Sequence, residues 1–110
     1  MQITRSPIAG GVVLHLAGRL DSETSPAAEP EVLAALPPGG VLVLDLARLR
    51  YCSSPGLRLL LVTVKQAAER KTRLGLAGVQ PAVAEVLECT GVDKVLPSFA
   101  TVEAAQRGLG

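Results

Sequence analysis

The chain has 110 residues, 48% of them apolar, with one Phe, one Tyr and no Trp; that length supports one hydrophobic core, built from Leu, Val, Ile and Ala, and is too short for two. Eleven basic against ten acidic residues leave a net charge of +1 without a Lys/Arg cluster, which argues against direct nucleic-acid binding. The longest apolar stretches, Gly11 to Ala17 and Leu57 to Val64, fall far short of the roughly 20 residues that cross a bilayer, so no membrane insertion is expected.

Gln2, Thr4, Arg5, Ser6 and Pro7 interrupt any signal-peptide hydrophobic region, and a cytoplasmic location is expected. Gln2 to Thr4 is predicted to pair with Gly11 to Ala17 through the turn-rich stretch Ser6-Pro7-Ile8-Ala9-Gly10. On the second strand Val12, Leu14 and Leu16 share one face and Val13, His15 and Ala17 the other. The strand is therefore covered on both sides, or exposed only at His15. His15 is the only histidine, and is expected to be a packing or surface residue, with nothing beside it to complete a triad or a ligand set.

Ser25-Pro26 reads as an N-cap followed by proline at the first helical position, predicting a helix from about Pro26 to Leu36 that Pro37-Pro38-Gly39-Gly40 ends. The run Val41-Leu42-Val43-Leu44-Asp45-Leu46 predicts a strand buried on both faces. Ser54-Pro55 repeats the cap-then-proline signature before the longest helix, roughly Pro55 to Lys71, with Leu57, Leu60, Val64, Ala67 and Ala68 as its core face. Ser54, Arg58, Val62, Lys65 and Glu69 fall to one side of that face. Further on come a strand over Thr72 to Ala77, a helix over Pro81 to Glu88 stopped by Cys89-Thr90-Gly91, a brief strand at Val95-Leu96, and a helix over Thr101 to Arg107 capped by Thr101. Strands separated by helices make part of the sheet parallel.

Cys52 and Cys89 supply neither a disulfide framework nor a metal site, and both are expected to be buried apolar residues in a reducing compartment. Phosphate-loop, dinucleotide and serine-hydrolase motifs are all missing, so no catalytic residue, metal or cofactor is expected. The corner Ser53-Ser54-Pro55-Gly56 is different. A strand-to-helix loop presents two hydroxyls at a helix N-terminus, where unpaired N–H groups and the macrodipole favour negative charge. The plain alternative is that Ser54 only caps the helix, contributing about 1 kcal/mol.

Taken in order, four blocks resemble the STAS domain: Gly18-Arg19-Leu20-Asp21, Val41-Leu42-Val43-Leu44-Asp45-Leu46, Tyr51-Cys52-Ser53-Ser54-Pro55-Gly56-Leu57-Arg58 and Leu87-Glu88-Cys89-Thr90-Gly91-Val92-Asp93-Lys94-Val95-Leu96. More narrowly, the chain resembles the stand-alone anti-sigma factor antagonists of bacteria, from about Ile3 to Gln106. The resemblance implies a single compact α/β domain over residues 1–110, a STAS-like mixed sheet of four to five strands packed with about four helices. It also implies a non-enzymatic, partner-switching protein. Such a protein binds an anti-sigma factor with serine kinase activity and frees a sigma factor. The kinase switches it off by phosphorylating a serine, which a serine phosphatase restores.

Aligning on Gly56-Leu57 puts Ser54 at the modified position. Ser53 stands where the family often has Asp, and Pro55 where it often has a second Ser or Ala. Asp21, Ser22, Thr24, Ser53, Ser54, Pro55, Gly56, Arg58 and Val62 are the implied partner-binding rim. One alternative is an unphosphorylated STAS subunit of a stress-signalling or lipid-transport assembly. Another, ranked last, is a small enzyme or nucleotide-binding protein using Asp21, Asp45 and Ser53-Ser54, whose loop has only Gly56 where phosphate cradles normally need several glycines.

Overall fold

The computed structural model describes residues 1–110. Five strands lie side by side in chain order: β1 (Gln2–Ile8), β2 (Gly11–Leu20), β3 (Val41–Cys52), β4 (Arg73–Ala77) and β5 (Ser98–Phe99). β1 and β2 form an antiparallel hairpin, and the other neighbours are parallel. Parallel pairing needs long crossovers, supplied by α1 (Ser25–Ala34), α2 (Ser54–Arg70) and α3 (Pro81–Thr90), with α4 (Val102–Leu109) closing the chain.

Successive strand residues point to opposite faces. Leu14, Leu16, Leu42, Leu44 and Leu46 join the larger core with Val32 of α1, Leu59 and Leu60 of α2, and Val83 and Leu87 of α3. Val13, Val41 and Val43 face the other way and pack with Ala77 and Ala105, bordered by Val102 and Leu109 of α4. Both faces of β3 are covered at its start, so its sequence there is an almost unbroken apolar run. Further along the α4 side of β2 and β3, His15 and Asp45 are partly exposed.

Several boundaries differ from expectation for identifiable reasons. The hairpin turn is only Ala9-Gly10, with Gly10 in the left-handed region at φ 73°. Pro7 thus lies within β1, tolerated because an edge strand need not donate every N–H. β3 runs past Leu46 to Cys52: Leu49 and Cys52 stay buried while Arg48, Arg50 and Tyr51 are exposed, and register shifts against β2 keep the two strands paired. Val95-Leu96 is not a strand. Val92–Lys94 form a 3-10 turn to which the Val95 and Leu96 N–H groups bond through the Val92 carbonyl, Leu96 is buried, and Ser98 and Phe99 pair with Leu76 and Ala77, with the Leu76 N–H donating to the Pro97 carbonyl at 2.8 Å.

α1 and α2 each begin one residue early, with Thr24 and Ser53 rather than Ser25 and Ser54 as N-caps. Cys89 is exposed, not buried like Cys52, because α3 turns its Val83 and Leu87 stripe inward and Cys89 lies off that stripe.

Candidate partner-docking site

The buried stripe of α2 is Gly56, Leu59, Leu60, Thr63 and Ala67. It is rotated from the expected face: Leu57 and Val64 are half-buried and Ala68 is exposed. Thr63, a polar residue, is not in the apolar set expected to form that face. Its hydroxyl donates to the Leu59 carbonyl at 2.8 Å, which removes the penalty of burying it.

At the head of this helix, Ser53 leaves β3 in extended geometry. Its N–H donates to the Leu20 carbonyl at 2.9 Å and its hydroxyl to the same oxygen at 3.3 Å. Ser53 therefore ties the start of α2 to the end of β2 and does not cap the helix with its side chain. Ser54, the first residue of α2, is exposed. Gly56 makes this closeness feasible, since a Cβ there would come within 2.7 Å of the Leu20 oxygen and 2.8 Å of Cys52 Sγ. Burial pushes the Cys52 thiol up to about 11, so it packs rather than reacts.

The turn after β2 abuts this corner. The Glu23 and Thr24 N–H groups donate to Asp21 Oδ1 at 3.0 and 3.1 Å. Thr24 Oγ1 donates to the Arg19 carbonyl at 2.8 Å and accepts from the Asp21 N–H at 3.0 Å. The Thr24 N–H is the main cause that holds the Asp21 carboxyl below its usual range; desolvation opposes it, and the Glu23 N–H, the Thr24 hydroxyl and the Arg19 charge add to it. Such a prepaid set of hydrogen bonds fixes the turn's shape.

Of the rim residues expected from sequence, Asp21, Ser22 and Thr24 lie on this turn, and Ser53, Ser54, Pro55 and Gly56 on the adjoining corner. Ser22, Pro55 and Arg58 are exposed, Gly56 is buried, and Val62 is half-buried two turns below Ser54. Two further residues, Arg19 and Tyr51, stand beside this corner without having been singled out from sequence. The Arg19 guanidinium lies 4.3 Å from the centre of the Tyr51 ring, with its Nε 3.6 Å from Asp21 Oδ2, and Tyr51 is 43% exposed. They meet because Arg19 pairs with Tyr51 across β2 and β3 after a register shift at Gly18, which no local sequence signal announces.

Asp21 and Asp45, grouped in the small-enzyme alternative, do not converge: Asp21 serves the turn into α1, while Asp45 binds His15 Nδ1 at 2.7 Å on the α4 side of the sheet. His15 thus has the polar neighbours that its sequence context did not disclose. No helix is long and apolar enough to cross a membrane.

A family model described as "Mlab, STAS domain" matches residues 6–98. BtrV of Bordetella bronchiseptica, named as a candidate anti-sigma factor antagonist, is 36% identical over 96% of this chain and 91% of its own length. Among solved structures, an anti-sigma factor antagonist from Mycobacterium paratuberculosis superposes with a TM-score of 0.86 and 27% identity, covering 98% of this chain and 92% of that one. The fold is also that of the Bacillus cell fate determinant SpoIIAA in its phosphorylated form, with a TM-score of 0.73 and 20% identity over 99% of this chain and 100% of the other.

Proposed function

The chain belongs to the STAS domain family, and we propose that it acts there as a cytoplasmic anti-sigma factor antagonist, a role performed by docking rather than catalysis. In this reading it binds an anti-sigma factor with serine kinase activity and so frees a sigma factor. Phosphorylation at Ser54 releases it, and a serine phosphatase resets it. The observation that carries the reading is the contrast between two neighbouring serines. Ser53 is engaged with Leu20, whereas Ser54 is exposed at the first position of α2. Relatives named for this activity cover nearly the whole chain.

The docking rim comprises Asp21, Ser22, Thr24, Ser53, Ser54, Pro55, Gly56, Arg58 and Val62, with Arg19 and Tyr51 added. Gly56 contributes to the rim's shape rather than its contacts. A phosphate on Ser54 adds about −1.5 to −2 charge where a helix N-terminus tolerates anions, so the fold survives while the docking surface changes sign. A loss of about 3 kcal/mol in binding lowers affinity roughly a hundredfold, enough for a switch.

Incubation with the cognate kinase and ATP tests this directly. The expected product carries one phosphate, mapped to Ser54 and missing from Ser54→Ala. An unchanged intact mass would instead favour the second reading, an unphosphorylated STAS subunit of a stress-signalling or lipid-transport assembly. That reading draws on Ser53, which leaves Ser54 without the neighbouring carboxylate of the usual family form, and on Pro55, which replaces its second Ser or Ala.

A further inference from the structure

Three strands bring three polar side chains together on the α4 side of the sheet. Ser6 Oγ of β1 lies 3.0 Å from His15 Nε2 of β2, and His15 Nδ1 lies 2.7 Å from Asp45 Oδ2 of β3. A carboxylate only accepts, so Nδ1 carries a proton and donates to Asp45; in the neutral imidazole Nε2 then accepts from the Ser6 hydroxyl. The Ala47 N–H donates to Asp45 Oδ1 at 3.1 Å and fixes the carboxylate's orientation. Hydroxyl, imidazole and carboxylate therefore stand in the order, and on the ring nitrogens, that acyl transfer uses. That arrangement is recognised by geometry, whatever the fold.

A cleft of about 480 Å³ adjoins these residues. Ser6, His15 and Asp45 line it together with Thr101, Val102 and Glu103 at the start of α4. The first N–H groups of a helix have no partner within it. Thr101 Oγ1 takes the Ala104 N–H at 3.1 Å, and Val102 and Glu103, the next residues of α4, line the cleft; their N–H groups are the donors assigned here to a developing oxyanion. Ile8, Val13 and Val102 add apolar surface, and the Glu103 carboxylate disfavours anionic ligands.

We propose that this cleft is a second, chemically active site that cleaves small neutral carboxylic esters, with Ser6 as nucleophile, His15 as general base and Asp45 as the residue that positions the imidazole. Ser6 Oγ bonds to the ester carbonyl carbon as its proton passes to His15 Nε2. The ester C–O bond then breaks, and the leaving alkoxide takes that proton. Water repeats the sequence on the acylated serine, again giving its proton to Nε2, and releases the carboxylic acid with Ser6 restored. Only ester and water are consumed. The activity is independent of the docking corner around Ser54.

The test uses the full chain with a fluorophosphonate label, mapped by peptide mass, and with 4-nitrophenyl acetate followed to turnover. Ser6 is expected to carry the label, and Ser6→Ala to lower the ester rate about a hundredfold or more. Asp45→Asn is expected to lower kcat while leaving KM and the melting temperature near wild type, a split that a purely structural role does not produce. Should Asp45→Asn fail to fold, Ser6→Ala decides alone, because it removes only a half-buried hydroxyl on an edge strand. A folded protein whose Ser6 stays unlabelled, or a Ser6→Ala variant that hydrolyses at the wild-type rate, overturns the proposal and leaves the three side chains as a strut joining β1, β2 and β3.

Discussion

Adjacent residues of one type can have opposite duties when the backbone turns between them, and Ser53 and Ser54 do. Ser53 spends its hydroxyl on the Leu20 carbonyl, and Ser54 keeps its own outside. Gly56 holds the two segments together by lacking a Cβ, so Gly56→Ala is expected to cost about 1–3 kcal/mol through displaced backbone, read as a lower denaturation midpoint. Asp21 supplies a pH signature. Its folded carboxyl titrates below the ordinary 3.8, so its contribution to stability is complete above the unfolded pKa and is lost as pH falls through the lower, folded value. The gap in melting temperature between wild type and Asp21→Asn is therefore expected to be widest near neutrality and to close on acidification below 3.8. A gap that widens in acid would contradict the hydrogen-bonding account of the turn.

Among the elements, α2 carries both Ser54 and much of the core, and its two ends are built differently. Its C-terminus is a Schellman closure: the Thr72 N–H donates to the Ala67 carbonyl at 2.8 Å and the Lys71 N–H to that of Ala68 at 3.3 Å. Lys71 sits at φ 57°, a left-handed conformation that favours glycine. Lys71→Gly is accordingly expected to raise stability by up to about 1 kcal/mol in chemical denaturation, with no effect on partner binding. The helices were legible from their prolines and caps to within one or two residues, because Pro at the first turn and Gly or Pro past the end are local signals. The inward face of α2 was less legible. Thr63 is buried through a bond to its own helix backbone, and hydropathy does not register such a bond. β5 was misplaced for a related reason, since the Val95 and Leu96 N–H groups are taken by the Val92 carbonyl of the 3-10 turn and strand pairing begins beyond them.

At the scale of the whole molecule, one sheet separates two surfaces of different character. The turn at Asp21 to Thr24 and the head of α2 meet at one end because β2 and β3 finish side by side at Leu20 and Cys52. Two of the four resembling blocks, Gly18 to Asp21 and Tyr51 to Arg58, bring most of that corner into view from the sequence. The contact between Arg19 and Tyr51 was not legible there, because it depends on register shifts in a parallel pair. The Ser6, His15 and Asp45 chain was equally hidden: its members come from three strands, and only pairing of β1, β2 and β3 makes them neighbours. Calorimetric titration of the anti-sigma kinase with the unmodified and the Ser54-phosphorylated chain tests the docking account most directly. The account predicts affinity weaker by about a hundredfold for the phosphorylated form, with the melting temperature of the free chain essentially unchanged. Equal affinities for the two forms would contradict it.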